Sequence, residues 1–249
     1  MMPFRKKFKN QEYLNELAEI EHAFEAKDVM SDGKVEAKEI TIFGDIGDFW
    51  WDSISAKDVR NVLKDNDEAD VIVNLNSPGG DVFEGIAIYN TLKKHKGHVT
   101  INVVGWAASA ASIIAMAGDT INMQTGAMMM IHESWTIAMG NKREISSTMN
   151  ALETIDASLA DIYMTRFKGE RKEVETFIEN ETWFTAAETI AIGFADEEVE
   201  VEKSKEVDPE EFKNSVLSRF VAQKEPPFPV DGEMTGDAVR GILSKFKRP

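Results

Sequence analysis

One unit, used twice, constrains what this chain can fold into. Residues 69–75 form an apolar, β-branched run that stops abruptly at Asn76-Ser77-Pro78-Gly79-Gly80, and a helical pattern carrying Val82, Ile86 and Tyr89 follows. Residues 99–104 repeat the theme, closing at Gly105 before a second helix read over 107–117. Continuous apolar strands need cover on both faces, and strands alternating with helices supply it. The pattern therefore predicts an α/β layered domain of repeated βαβ units around a mostly parallel sheet. Such sheets hold their ligands just past the carboxyl ends of the strands, which points to the two glycine turns.

Further elements flank this unit. Residues 10–27 are rich in Glu and Ala, and Leu14, Leu17, Ile20 and Phe24 recur at helical spacing, predicting an amphipathic helix before the turn Ser31-Asp32-Gly33. Residues 38–42 read as a strand running into Phe43-Gly44-Asp45, and 55–65 as a helix facing the core through Val59, Val62 and Leu63. Strands follow over 120–123 and 127–131, the second ending at His132. The longest periodic segment is 142–167, where Ile145, Met149, Leu152, Ile155, Leu159 and Ile162 keep three-or-four spacing. At 1.5 Å per residue it would span roughly 40 Å, enough to project from a domain this small and meet another subunit. Residues 186–192 read as a short helix ending at Gly193. Pro226, Pro227 and Pro229 break any later helix, leaving a small terminal one over 233–247. The expected division is a polar N-terminal extension over 1–38, the folded domain over 39–198, and a charged, proline-containing extension over 199–249.

Composition narrows the function. Lys plus Arg number 28 against 44 Asp plus Glu, a formal charge of -16, which argues against a broad nucleic-acid surface. Basic clusters at Arg5, Lys6, Lys7 and Lys9 and at Lys245, Lys247 and Arg248 read as solubilising ends. The absence of cysteine excludes disulfides, thiolate zinc sites and a cysteine nucleophile, and fits a reducing compartment. A polar, acidic stretch follows the basic first residues, unlike a signal peptide. Residues 101–116 are apolar but too short to span a bilayer. A cytoplasmic protein without membrane or nucleic-acid partners is expected.

In Gly105-Trp106-Ala107-Ala108-Ser109-Ala110-Ala111, small residues around Ser109 let a substrate approach, and a helix start offers free N–H groups to a developing oxyanion. A hydroxyl there becomes a nucleophile when a base is near; alone, a serine in a small-residue helix more often packs. His132 ends the apolar strand of Met128, Met129, Met130 and Ile131. His22, His95 and His98 lie in charged, surface-like segments. His132 is either a half-buried structural histidine or a base titrating near pH 6.5 and oriented by a carboxylate. The loop 76–80 is either a turn or a clamp that brings backbone N–H groups to a substrate; no Gly-Lys-Ser/Thr follows to make it a phosphate loop.

Four stretches together resemble the Clp protease proteolytic subunit family, and more closely the Clp-like head maturation proteases of phages and prophages. They are Asn76-Ser77-Pro78-Gly79-Gly80-Asp81-Val82, Gly105 through Ser112, Met130-Ile131-His132, and Glu181-Thr182-Trp183-Phe184-Thr185-Ala186-Ala187-Glu188 leading to Gly193-Phe194-Ala195-Asp196. The resemblance implies a Clp protease/crotonase-like fold of repeated β-β-α or βαβ units with a long handle helix. It implies a serine endopeptidase acting through an acyl-enzyme, with Ser109 as nucleophile, His132 as base, and the backbone N–H groups of Gly80 and Ala110 as oxyanion hole. The third catalytic position, aspartate in the housekeeping enzyme, falls on Glu181, with Glu179 a competing carboxylate nearby. Ser112 is off the motif position and reads as packing.

The same resemblance implies no cofactor or metal. It implies self-association into a heptameric ring or stacked tetradecamer, peptides or unfolded proteins as substrates, and an AAA+ unfoldase as a partner that the unmatched termini leave open. Phage capsid or scaffold protein is the substrate the closer branch suggests. The competing readings are a hydratase or thioesterase of coenzyme A esters, and a catalytically silent ring-forming assembly protein.

Overall fold

The computed structural model describes residues 22–47, 53–64 and 68–200. Their centre is a sheet in which β2 (Lys34–Phe43), β3 (Asp70–Ser77), β4 (Val99–Ala108) and β5 (Thr120–Gln124) run parallel in that order. β1 (Ala23–Ser31) pairs antiparallel with β2 on one side, and β8 (Glu197–Val199) pairs parallel with β5 on the other. The sheet forks at β4. Residues Thr100–Val103 pair with β5, whereas Trp106, Ala107 and Ala108 pair with β6 (Met128–Ile131), which carries β7 (Thr182–Thr185) antiparallel on its far side. The mixed α/β architecture of alternating strands and helices expected from the doubled unit is present.

The helices follow from local chemistry. α1 (Ala56–Leu63) starts at a capping box in which Ser55 and Asp58 exchange side-chain and backbone hydrogen bonds. α2 (Val82–Lys93) is capped by Asp81, whose carboxylate accepts from the N–H groups of Phe83 and Glu84. α3 (Ala110–Ala115) is buried along its whole length, which small residues permit. α4 (Lys142–Tyr163) is capped by Asn141 with Glu144 and, at 1.5 Å per residue, is about 33 Å long. It buries only Leu159, Ala160 and Tyr163; Ile145 and Met149, on its expected apolar face, are exposed. α5 (Arg171–Glu179) and α6 (Ala186–Ala191) complete the described elements.

Three expectations are corrected. The helix read over 10–27 gives way at Ala23 to strand β1, because Asp32 and Gly33, both at positive φ, make the tight turn that lays β1 along β2. Residues 10–21 lie outside the described residues, as does everything beyond 200, including the helix read over 233–247. The sheet consequently begins upstream of residue 39, with β1 and the start of β2 inside the segment read as an extension. Strand β4 also continues past Gly105. There the β3–β4 register shifts between Leu75 and Ser77, and the Asn76 side chain accepts from the Trp106 N–H at 3.3 Å, in place of a ladder bond. A Cβ on Gly105 would sit 2.6 Å from that same Asn76 Oδ1, so the bend needs glycine. The following helix accordingly starts at Ala110, not at 107.

The open face of the sheet carries a row of amides. Asn122 Nδ2 donates to Asn102 Oδ1 (2.9 Å), Asn102 to Asn74 (3.1 Å) and Asn74 to Glu39 (2.9 Å), crossing four neighbouring strands. On the other face, Ile40, Val73, Ile101 and Ile121 are fully buried against the helices.

Candidate active site

Ser109 stands between β4 and α3 with φ 55° and ψ -126°, a conformation that L-residues avoid. Its surroundings over-determine it. The Ser109 N–H donates to the Met130 carbonyl at 2.9 Å, and its own carbonyl accepts from the N–H (2.9 Å) and the hydroxyl (2.5 Å) of Ser112. With both backbone ends held, the side chain turns out of the sheet.

β6 brings His132 to it. The β4–β6 pairing sets Ala108 beside Met130, so the residues that follow each strand end converge, and His132 Nε2 lies 2.7 Å from Ser109 Oγ. An imidazole accepting there carries its proton on Nδ1. His132 is partly buried, and that desolvation pushes its pKa below 6.5, outweighing the opposing pull of the Glu181, Asp156 and Glu133 carboxylates, in that order. The imidazole is thereby kept neutral at neutral pH.

Glu181 reaches this place through β7. The antiparallel register pairs Ile131 with Thr182, and one step further puts Glu181 across from His132. Glu181 has a positive φ of 47° and ends the turn out of α5. It exerts the largest carboxylate influence on His132, whereas Glu179 does not figure among the groups acting on that ring. Asp156 on α4 accepts from the Ser134 N–H at 2.7 Å, tying down the segment just past His132.

The loop 76–80 forms the opposite wall. Ser77 is buried and its hydroxyl accepts from the Gly79 N–H at 3.0 Å, turning the chain. Gly79 O accepts from Ile46 N (2.9 Å) and Asp81 N donates to Ile46 O (2.8 Å). In that parallel bridge the flanking residues bond to Ile46, which turns the N–H of Gly80 to the opposite side. Gly79 has φ 91°, and a Cβ there would come within 2.6 Å of Ala108 O and 2.8 Å of Ser109 Cβ. Ala110 is the first residue of α3, so its N–H has no acceptor within the helix. A strained serine, a neutral imidazole and unbonded backbone N–H groups can together attack a carbonyl and stabilise its oxyanion.

Some contributors had no legible signal. Tyr163 lies 51 residues from Ser112 in the chain, yet its hydroxyl sits 2.7 Å from the Ser112 hydroxyl. Asp156 is one polar residue among many on a long helix. Asp196, within the motif at 193–196, works on structure: it accepts from the Ile121 N–H at 2.7 Å and from Arg166 at 2.6 Å.

The sequence model of the family described as Clp protease matches residues 23–202. The chain is similar to several proteins described as ATP-dependent Clp protease proteolytic subunits. That of Borreliella afzelii is 26% identical over 159 residues, spanning 63% of this chain and 80% of its own length. That of Deinococcus radiodurans is 26% identical over 137 residues, 54% of this chain and 67% of its own. That of Chlamydomonas reinhardtii is 30% identical over 148 residues, 58% of this chain and 28% of its own.

Proposed function

Because this chain belongs to the Clp protease family, we propose that it is a serine endopeptidase with Ser109 as nucleophile, His132 as general base and Glu181 as the carboxylate that orients the imidazole. The observation that carries the reading is the 2.7 Å contact between Ser109 Oγ and His132 Nε2. As Ser109 Oγ bonds to the peptide carbonyl carbon, His132 Nε2 takes its proton. Negative charge on the carbonyl oxygen is met by the N–H groups of Gly80 and Ala110. His132 then passes the proton to the amine as the C–N bond breaks. Water, deprotonated by the same imidazole, releases the acyl group and restores Ser109.

The exposed apolar residues on the amino-terminal part of α4, Ile145 and Met149, support self-association. We read α4 as the handle joining two heptameric rings of a Clp/crotonase-like fold, with the sites enclosed and substrates limited to peptides or unfolded chains; delivery by an AAA+ unfoldase belongs to the same reading. The motifs at Ser109 and Glu181 resemble those of phage and prophage enzymes, which supports a capsid or scaffold protein as substrate. No helix among the described residues is long and apolar enough to cross a membrane.

The test is fluorophosphonate labelling and casein cleavage by wild type and Ser109→Ala, with oligomeric state recorded for each. Labelling and cleavage that vanish in an assembled Ser109→Ala ring support the reading. An assembled wild-type ring that neither labels nor cleaves supports a silent assembly protein instead.

A further inference from the structure

His22, the residue just before β1, is engaged with the fold and not free in solvent. Its side chain is 25% exposed, and its ring lies against Gly44, where a Cβ would come within 2.7 Å of Nδ1. The Asp45 N–H donates to that Nδ1 at 3.3 Å. A ring that accepts at Nδ1 carries its proton on Nε2, and Nε2 lies 3.7 Å from Asp45 Oδ2, so both nitrogens of the imidazole are directed at one residue.

Asp45 belongs to the segment that backs the glycine loop. Gly44 N donates to Asn76 O (3.1 Å), Ile46 N to Gly79 O (2.9 Å) and Gly47 N to Ile54 O (2.9 Å), all of them backbone carbonyls. The Asp45 N–H alone among these four donates to a side chain, and that side chain is His22. The Ile46 carbonyl accepts from Asp81 N at 2.8 Å, and a Cβ on Gly80 would fall 2.0 Å from the same oxygen. Gly80 is therefore seated directly on Ile46, one residue beyond the one that His22 holds. Loss of the acceptor leaves the Asp45 N–H to seek water, and a peptide that turns to reach it carries Ile46 along.

Resting on the peptidase reading above, we infer that His22 is a positioning residue, which through Asp45 and Ile46 sets the Gly80 N–H against the carbonyl oxygen of the bound peptide. It acts through those two residues and not by contact with the reacting atoms. An oxyanion donor works at one distance and direction from the oxygen that gains charge, so a small shift of Gly80 is felt in the transition state and little in the bound substrate.

His22→Leu removes the acceptor, whereas His22→Asn keeps one, its Oδ1, at the level of Nδ1. With oligomeric state and melting temperature recorded for each, His22→Leu should lower kcat on a fluorogenic peptide about tenfold and leave KM within about twofold. Its affinity for a peptide boronate, whose tetrahedral oxygen takes the oxyanion's place, should fall by a similar factor, while the boron-free peptide should bind Ser109→Ala equally well with or without His22→Leu. His22→Asn should recover most of both losses, and His22→Gln, whose amide sits one carbon further out, should fall between. Hydrogen–deuterium exchange over 44–47 and 76–81 should rise in the same order. An assembled His22→Leu with unchanged kcat, a loss expressed in KM, or a His22→Asn as impaired as His22→Leu overturns the role. A wild-type chain that neither cleaves nor labels sinks the peptidase reading instead, and exchange over the two segments then decides whether His22 holds the loop.

Discussion

Tyr163 Oη lies 2.7 Å from Ser112 Oγ, and Ser112 in turn donates to the Ser109 carbonyl. Burial pushes the Tyr163 phenol above its ordinary pKa, against the smaller pull of the Ser112 bond, so the hydroxyl stays protonated and spends its proton on this contact. The end of α4 thus supports the strained turn at Ser109 through one intervening hydroxyl.

That chain predicts an asymmetry. Ser112→Ala strands a fully buried phenol and should destabilise the fold by about 1–3 kcal/mol, whereas Tyr163→Phe leaves Ser112 bonded to Ser109 and should cost about 1 kcal/mol or less. The double variant should recover part of the Ser112→Ala loss. Urea denaturation of the three variants checks this; equal losses in both single variants would count against it.

The pH profile of cleavage follows from His132. In the proposed mechanism only the neutral imidazole can take the Ser109 proton, so activity should fall as pH drops through its pKa, which burial holds below 6.5. Glu181 opposes that lowering. Glu181→Gln should therefore move the acid limb of kcat/KM to still lower pH, while lowering kcat by about a hundredfold through lost orientation. A limb that moves upward would contradict the electrostatics.

Gly79 is irreplaceable on two grounds, its φ of 91° and the atoms its Cβ would meet at Ala108 and Ser109. Gly79→Ala should cost about 1–3 kcal/mol of stability and slow fluorophosphonate labelling of Ser109 at least tenfold. Thermal melting and labelling rates measured on the same preparation check both.

Ile145 and Met149 are exposed in the single chain, so Ile145→Glu with Met149→Glu should change protomer stability by no more than about 0.5 kcal/mol per site. Assembly should fail nonetheless. Light scattering after size exclusion reads the result, and an intact large particle would remove α4 from the interface.

The doubled strand–turn–helix unit was legible because each strand is apolar throughout and each stop is marked by glycine. His132 was read at a strand end where such sheets expose side chains, whereas Ser109 was read inside a helix over 107–117 and drew attention through the motif around it; it lies between the end of β4 and α3. Strand β1 was not legible, because the apolar spacing around Phe24 suits a helix, and only pairing with β2 decides otherwise. The run of β4 past Gly105 depends on the Asn76 side chain filling a gap in the backbone ladder, a long-range substitution that local pattern does not record. Asp156 and Tyr163 act from a helix whose spacing reveals its faces and nothing about which end will touch the site.

The row of amides from Glu39 through Asn74 and Asn102 to Asn122 works as a vernier between strands. Parallel apolar strands could slide by two residues and keep the same face inward, but each side-chain amide has its partner at one setting only. A two-residue slip of β4 would carry Ser109 about 6.6 Å along the sheet, away from both His132 and the glycine loop. The alignment of Ser109 with His132 is thereby guarded by polar groups several residues upstream.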